Sequence, residues 1–168
     1  MFDLSGHVAL VTGGGQNAGA GIARALAAQG AAVAVNDLVP ERAGKVCAEI
    51  EQEGGKALPV VFDVTDRDAV ADGVARARSG LGGAVDILVN NAGIPADKSL
   101  MGYSAFRQLE PSRWRFPVEI NLFGAMNCVH AVVGEMCDAG WGRIVQISSG
   151  SARVGSSMGL TLYGAAKS

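Results

Sequence analysis

Two histidines and three cysteines are all that this 168-residue chain has of nitrogen and sulfur metal ligands. His7 and His130 stand far apart, and Cys47, Cys128 and Cys137 form no C-x-x-C pair and are odd in number. No metal site and no disulfide framework is expected, and a reducing, cytoplasmic setting is the default. An excess of one charge is also lacking. Fourteen Lys+Arg against sixteen Asp+Glu give a net −2, mixed along the chain, with no basic stripe to meet a phosphate backbone. Nucleic acid is therefore not an expected partner. The longest apolar runs, such as 31–35 and 87–89, fall far short of the ~20 residues that span a bilayer. Residues 1–6 lack the positive start and apolar core of a signal peptide, so no membrane association is expected. What is abundant is apolar surface, at 49% hydrophobic residues, and glycine, at 24 residues, roughly twice average usage. The length suits one domain with a substantial core.

Two periods alternate along the chain. Short apolar, β-branched runs at 7–12, 32–36, 57–62, 86–90 and 143–147 read as strands buried on both faces. Between them lie helical patterns. One covers 19–29, with Gly30 as its stop. A second covers 41–53, with Pro40 at its start. A third follows Thr65 as N-cap, with Asp66 and Asp68 in its first turn. A fourth covers 112–138, where Val118, Leu122, Ala125, Val129 and Met136 share one face. Pro117 marks either a kink in this last helix or a later start. Such alternation predicts an α/β fold with right-handed crossovers and a parallel sheet.

The first strand runs into Thr12-Gly-Gly-Gly-Gln-Asn-Ala-Gly19, which opens directly into a helix. Glycines let a backbone approach a pyrophosphate, and a helix N-terminus offers unpaired N–H groups and the positive end of a dipole. Gly13, Gly15 and Ala18 satisfy the generic G-x-G-x-x-G/A pattern, although a plain glycine-rich turn would read the same. Asp37 ends the second strand, 18 residues after Gly19. A carboxylate there accepts hydrogen bonds from adenosine ribose hydroxyls and repels a 2′-phosphate, which favours NAD over NADP. The bland alternative is that Asp37 caps the turn before Pro40.

These ordered motifs resemble the short-chain dehydrogenase/reductase family from about residue 6 to residue 167. The glycine loop is similar to the family's T-G-x3-G-x-G, with Asn17 where the middle glycine stands. Asparagine tolerates left-handed backbone better than most residues. Asp63-Val64 resembles the adenine-contacting pair, and Asn90-Asn91-Ala92-Gly93 the N-N-A-G motif. Asn121 falls on the active-site asparagine, Ser149 on the catalytic serine with Ser148 and Ser151 as competitors, and Tyr163 and Lys167 on the Y-x3-K pair. The resemblance implies a Rossmann-type, doubly wound parallel sheet of order 3-2-1-4-5. The implied cofactor set is Gly13, Gly15, Gln16, Asn17, Ala18, Gly19, Asp37, Leu38, Asp63, Val64, Asn90, Asn91, Ala92, Gly93, Tyr163 and Lys167.

Tyrosine and lysine at i and i+4 share a helix face. A free tyrosine titrates near 10, and a neighbouring cation favours its phenolate. The resemblance then implies an NAD(P)-dependent enzyme that interconverts a secondary alcohol and a ketone. Tyr163 is its acid/base, Ser149 binds the substrate oxygen, Lys167 also holds the nicotinamide ribose, and Asn121 holds a water toward Lys167. A small alcohol or ketone is the implied partner, and a homo-oligomer the family habit. Met101, Tyr103 and Phe106 are candidates to line an apolar substrate pocket. Family members continue well beyond the Y-x3-K pair. Residues 1–168 are therefore expected to be one dinucleotide-binding and catalytic domain, incomplete at its C-terminus, with the fifth strand left as an exposed edge. The alternative is a nucleotide-binding module with little or no turnover. A redox-sensing regulator ranks last, because Ser149, Tyr163 and Lys167 are all present.

Overall fold

The computed structural model describes residues 3–94, 105–154 and 159–168. Strands β1 (Val8–Val11), β2 (Ala32–Asn36), β3 (Lys56–Val60), β4 (Ile87–Asn90) and β5 (Arg143–Gln146) form one parallel sheet in the order β3-β2-β1-β4-β5. Leu10 pairs with Ala34 on one side and Leu88 on the other, which fixes the register of the centre. The central strands β1 and β4 are buried throughout, as their unbroken apolar runs require. Helices α1 (Asn17–Ala28) and α2 (Pro40–Gln52) cover one face, packing Ala23, Val46 and Ile50 on Val11, Val33 and Val35. Helices α3 (Arg67–Leu81) and α5 (Gly124–Asp138) cover the other, packing Val70, Cys128 and Val132 on Leu10 and Leu88. Alanines of α1 pack in the core on this face, and Gly19 in its first turn approaches Gly13 and Asn91, which follow β1 and β4.

The architecture is the expected Rossmann-type sheet, with the chain reversing direction between β1 and β4. That reversal opens a crevice at the carboxyl ends of the strands. Several local expectations are corrected. Asp66 caps α3, its carboxylate accepting the N–H groups of Asp68 and Ala69 at 3.0 Å, while Thr65 donates to Asp63 instead. Either residue type can cap; the one adjacent to the first helical turn wins. The fourth helix starts later than residue 112. A 3-10 turn (Pro111–Arg113) precedes α4 (Arg115–Val118), and a π-helical turn (Glu119–Phe123) leads into α5. Pro117 therefore lies in a first turn, where a missing N–H leaves nothing unpaired.

The buried stripe of that helix also differs from the expected one. Pro117, Asn121, Gly124, Cys128, Val132 and Met136 face inward, while Leu122 is 44% exposed. Only Met136 belongs to both sets. The small and polar residues are the ones that permit close approach; a Cβ on Gly124 would lie 2.7 Å from Val64 Cγ2. By length and composition the stretch Pro111–Asp138 is apolar enough to cross a membrane. In this fold it has a structural use, as the cover of one sheet face. Strand β5, whose composition reads as buried on both faces, is the outermost strand and exposed along its length, the exposed edge that was also expected of it. Beyond it, α6 (Gly150–Arg153) and α7 (Thr161–Ala166) are the remaining helices among the described residues.

Burial decides the thiol chemistry. Burial pushes the Cys47 and Cys128 thiols up to about 12, with Glu51 adding to the effect at Cys47. Cys137 is exposed. At pH 8 Ellman's reagent is expected to modify Cys137 quickly and the other two only on unfolding. A second fast-reacting thiol in a Cys137→Ser variant would contradict this.

Candidate active site

The turn after β1 is built by hydrogen bonds that reach across three strands. Thr12 Oγ1 accepts the N–H groups of Asn91 and Ala92 at 3.1 and 3.0 Å and donates to Val89 O at 3.4 Å. Asn91 Nδ2 donates to the carbonyls of Thr12 and Gly13, both at 3.0 Å. The loops after β1 and β4 are thus locked to each other at the topological switch point. Asn36, buried at the end of β2, accepts Gly13 N–H at 3.4 Å and donates to Val60 and Phe62 carbonyls. Asn17 takes φ +48°, alone among the described non-glycine residues in having a positive φ. The residue that replaces the middle glycine keeps the left-handed turn.

Asp37 is buried, and both carboxylate oxygens are engaged by backbone: Oδ2 accepts Gly15 N–H at 3.2 Å and Oδ1 accepts Val39 N–H at 3.0 Å. It does cap the turn before Pro40, as the bland alternative held, and it also braces the glycine loop. Close packing explains the glycines. A Cβ on Gly15 would lie 2.6 Å from Asp37 Oδ2, and one on Gly19 would overlap the Gly13 carbonyl oxygen. Asp63 Oδ1 accepts from Thr65, and Asn127 Nδ2 donates to Val64 O at 3.0 Å, so α5 fixes the Asp63-Val64 turn.

On the other wall, Tyr163 and Lys167 lie one turn apart at the end of α7, Lys167 N–H donating to Tyr163 O at 3.0 Å. Lys167 Nζ reaches the carbonyls of Ile147 at 3.0 Å and Ala92 at 3.4 Å, which ties α7 to the loops after β5 and β4. Burial holds its ammonium below the usual lysine range, because desolvation penalises the charged form. Ser148 Oγ donates to Lys167 O at 2.8 Å.

One cleft of about 460 Å³ is lined by Gly13, Gln16, Asn17, Ala18, Gly19, Asp37, Leu38, Asp63, Val64, Asn91, Ala92, Gly93, Tyr163 and Lys167. Four of the sequence candidates do not line it. Gly15 packs against Asp37 and Arg42, and Asn90 lines a neighbouring groove. Asn121 lines the same groove, which shares Lys167 with the cleft. Ser149 caps α6, its Oγ accepting Ser151 N–H at 3.2 Å, while the competitor Ser148 lines the cleft. Met101 and Tyr103 lie outside the described residues, and Phe106 stacks on Trp114 away from the cleft. Thr12 and Asn36 were missed as loop-locking residues. Each directly precedes a residue that was singled out, but a hydroxyl or amide turned back into the backbone has no sequence signature of its own. Phe116 and Ile120 add apolar wall from α4 and the π-turn.

The arrangement suits a nicotinamide dinucleotide. It offers a backbone cradle at a helix N-terminus, an acid at the end of β2, apolar walls beside it, and a phenol with an ammonium at the far end. The comparisons agree. A family model described as short chain dehydrogenase matches residues 7–168. The chain is 43% identical over 162 residues to an acetoacetyl-CoA reductase of Rhizobium meliloti (strain 1021), covering 96% of this chain and 62% of that protein. A solved 7 alpha-hydroxysteroid dehydrogenase, complexed with NADH and 7-oxo glycochenodeoxycholic acid, matches with a TM-score of 0.88 at 33% identity, covering 98% of this chain and 61% of that one. A gluconate 5-dehydrogenase from Burkholderia cenocepacia J2315, in complex with NADP and tartrate, gives 0.87 at 34%, covering 99% and 62%. The chain spans 62% of the length of the first of these relatives. With a family model that runs from residue 7 to residue 168 and the same fold in both structures, the chain belongs to the short chain dehydrogenase family.

Proposed function

We propose that the protein is an NAD(P)-dependent oxidoreductase that interconverts a secondary alcohol and a ketone. The observation that carries this reading is the single cleft lined by Gly13, Asp37, Tyr163 and Lys167, which one extended dinucleotide can touch end to end. Gly13 to Gly19 and the α1 N-terminus hold the pyrophosphate, and Asp37 takes the adenosine ribose hydroxyls with Leu38 and Val64 against the adenine. Asn91 to Gly93 lie along the nicotinamide side, and Lys167 holds its ribose. The nicotinamide ring, when bound, supplies hydride transfer. Tyr163 Oη takes the proton of the alcohol, or returns it to the ketone oxygen. The Lys167 ammonium stabilises negative charge on that phenol. A serine of the 148–149 pair binds the substrate oxygen, and Asn121 holds a water toward Lys167. Residues 1–168 act in this as one dinucleotide-binding and catalytic domain. Three unpaired thiols suit a reducing cytoplasmic setting, and the family habit suggests a homo-oligomer.

A second reading has its own support. The chain spans 62% of its relative, and β5 is an exposed edge strand among the described residues. A nucleotide-binding module with little turnover fits these facts as well. Titration with NAD and NADP, followed by assays on a panel of alcohols and ketones, separates the two. Binding with turnover supports the oxidoreductase, binding alone supports the module, and no binding of either dinucleotide overturns both.

Preference for NAD over NADP is proposed from the buried Asp37 carboxylate. Asp37→Asn keeps one oxygen for the loop and removes the charge. It is expected to weaken NAD binding about tenfold, the size of one charge-assisted hydrogen bond, and to strengthen NADP binding. Isothermal titration with both dinucleotides checks this. An unchanged NAD/NADP ratio would remove Asp37 as the discriminator.

A further inference from the structure

We infer that Arg42 is a second determinant of cofactor choice: its guanidinium receives the 2′-phosphate of a dinucleotide bound in the cleft, so the chain admits NADP beside NAD. The inference rests on the proposed dinucleotide reading and deepens it at the adenosine end.

Among the described residues, Arg42 and Lys167 are the cationic side chains that line the cleft. Lys167 lies with Tyr163, and the carbonyls of Ala92 and Ile147 accept from its Nζ. Arg42 lies with Asp37 instead, as the third residue of α2, and is exposed. Backbone fixes the relation of acid and base. Asp37 Oδ1 accepts Val39 N–H at 3.0 Å, and Val39 O accepts Arg42 N–H at 3.1 Å. A Cβ on Gly15 would lie 2.6 Å from Asp37 Oδ2 and 2.7 Å from Arg42 Cβ, so the carboxylate and the arginine stem flank one point. Yet no ion pair joins them. The ion pairs of the described residues are His7–Asp86, Arg24–Glu49, Arg78–Glu135 and Arg115–Glu119. Both Asp37 oxygens accept from backbone N–H groups, which leaves the guanidinium without a counter-charge. Its place on α2 makes that costly. The first turn of a helix is the positive end of the dipole, where a cation is disfavoured and an anion relieves it. A phosphate monoester carries about −1.5 to −2 charges at neutral pH, and an arginine fork matches its oxygens bidentately. Asp37 repels such a group, and Arg42 beside it offsets the repulsion. NAD lacks the group, so its ribose hydroxyls depend on Asp37 and not on Arg42.

Isothermal titration tests this without any turnover. Two fragments isolate the group, because adenosine 2′,5′-bisphosphate differs from AMP only by the 2′-phosphate. Arg42→Gln is expected to weaken the bisphosphate and NADP about tenfold, the size of one charge-assisted hydrogen bond, while AMP and NAD stay within about twofold. Arg42→Lys keeps the charge without the fork and should fall between Arg42→Gln and wild type. Added KCl should lower NADP affinity more steeply in wild type than in Arg42→Gln, because an exposed charge pair is screened. Equal weakening of NAD and NADP would mean that Arg42 serves a group common to both, and it overturns the inference. Unchanged affinity for the bisphosphate in Arg42→Gln overturns it as well. A wild type that binds NAD but not NADP overturns this inference alone and leaves the proposed function standing; one that binds neither overturns the proposed function with it.

Discussion

Replacing Tyr163 by phenylalanine is expected to lower turnover about 10²–10⁴-fold while NAD affinity stays within about twofold, the usual scale for losing a positioned acid/base. The substitution deletes one oxygen and leaves the ring in place. Tyr163 is half-buried on α7, and the helical turn that positions it is held by Lys167, whose Nζ reaches Ile147 O and Ala92 O. None of those bonds involves the phenol, so the wall of the cleft survives the change. What is lost is a proton donor or acceptor on the wall of the cleft that also carries Lys167. The loss therefore falls on kcat rather than on dinucleotide binding, and steady-state kinetics with parallel titration separates the two. Turnover within a few-fold of wild type would remove the acid/base role. A fall in binding to match the fall in rate would mean that the hydroxyl anchors the cofactor instead.

How far the sequence foretold this site depends on the kind of information each part needed. The order strand, glycine loop, helix, strand, acid is local along the chain, and it came through with element ends within one or two residues at α1 and α2. The left-handed turn at Asn17 was equally legible, because it depends on backbone sterics at one residue. Choices between near-equals were not. Thr65 and Asp66 are both competent caps, and geometry chose the second. The inward stripe of α5 was misjudged because apolarity marks what can be buried, whereas closeness of approach decides what is. Asn121, Gly124 and Cys128 face the sheet, and Leu122 and Met126 face away. Strand β5 has a buried strand's composition and an edge strand's exposure, since nothing among the described residues packs beyond it. The choice between Ser148 and Ser149 turns on one residue of register in a loop whose residues 155–158 lie outside the description.

Two glycines of α1, two residues apart, offer a matched test of what holds the cradle. Glycine to alanine inside a helix ordinarily stabilises by roughly 0.5–1 kcal/mol. Gly21 should obey that rule, because a Cβ there meets nothing within 4 Å. Gly19 should reverse it. Its Cβ would overlap the Gly13 carbonyl oxygen and lie 2.5 Å from Asn91 Nδ2, the donor that joins the β4 loop to Thr12 and Gly13. One methyl therefore pushes on the β1 turn, on the α1 N-terminus and on the asparagine that couples them. Overpacking of this kind costs about 1–3 kcal/mol. Gly19→Ala is thus expected to unfold at lower urea than wild type and Gly21→Ala at higher. The larger effect should be on binding. Backbone N–H groups serve a pyrophosphate only where the chain keeps its turn, so Gly19→Ala is expected to weaken NAD binding at least about a hundredfold, or roughly 3 kcal/mol, with Gly21→Ala near wild type. If both alanines behave alike in urea and in titration, the tight junction at Gly13, Gly19 and Asn91 is not what shapes the dinucleotide site.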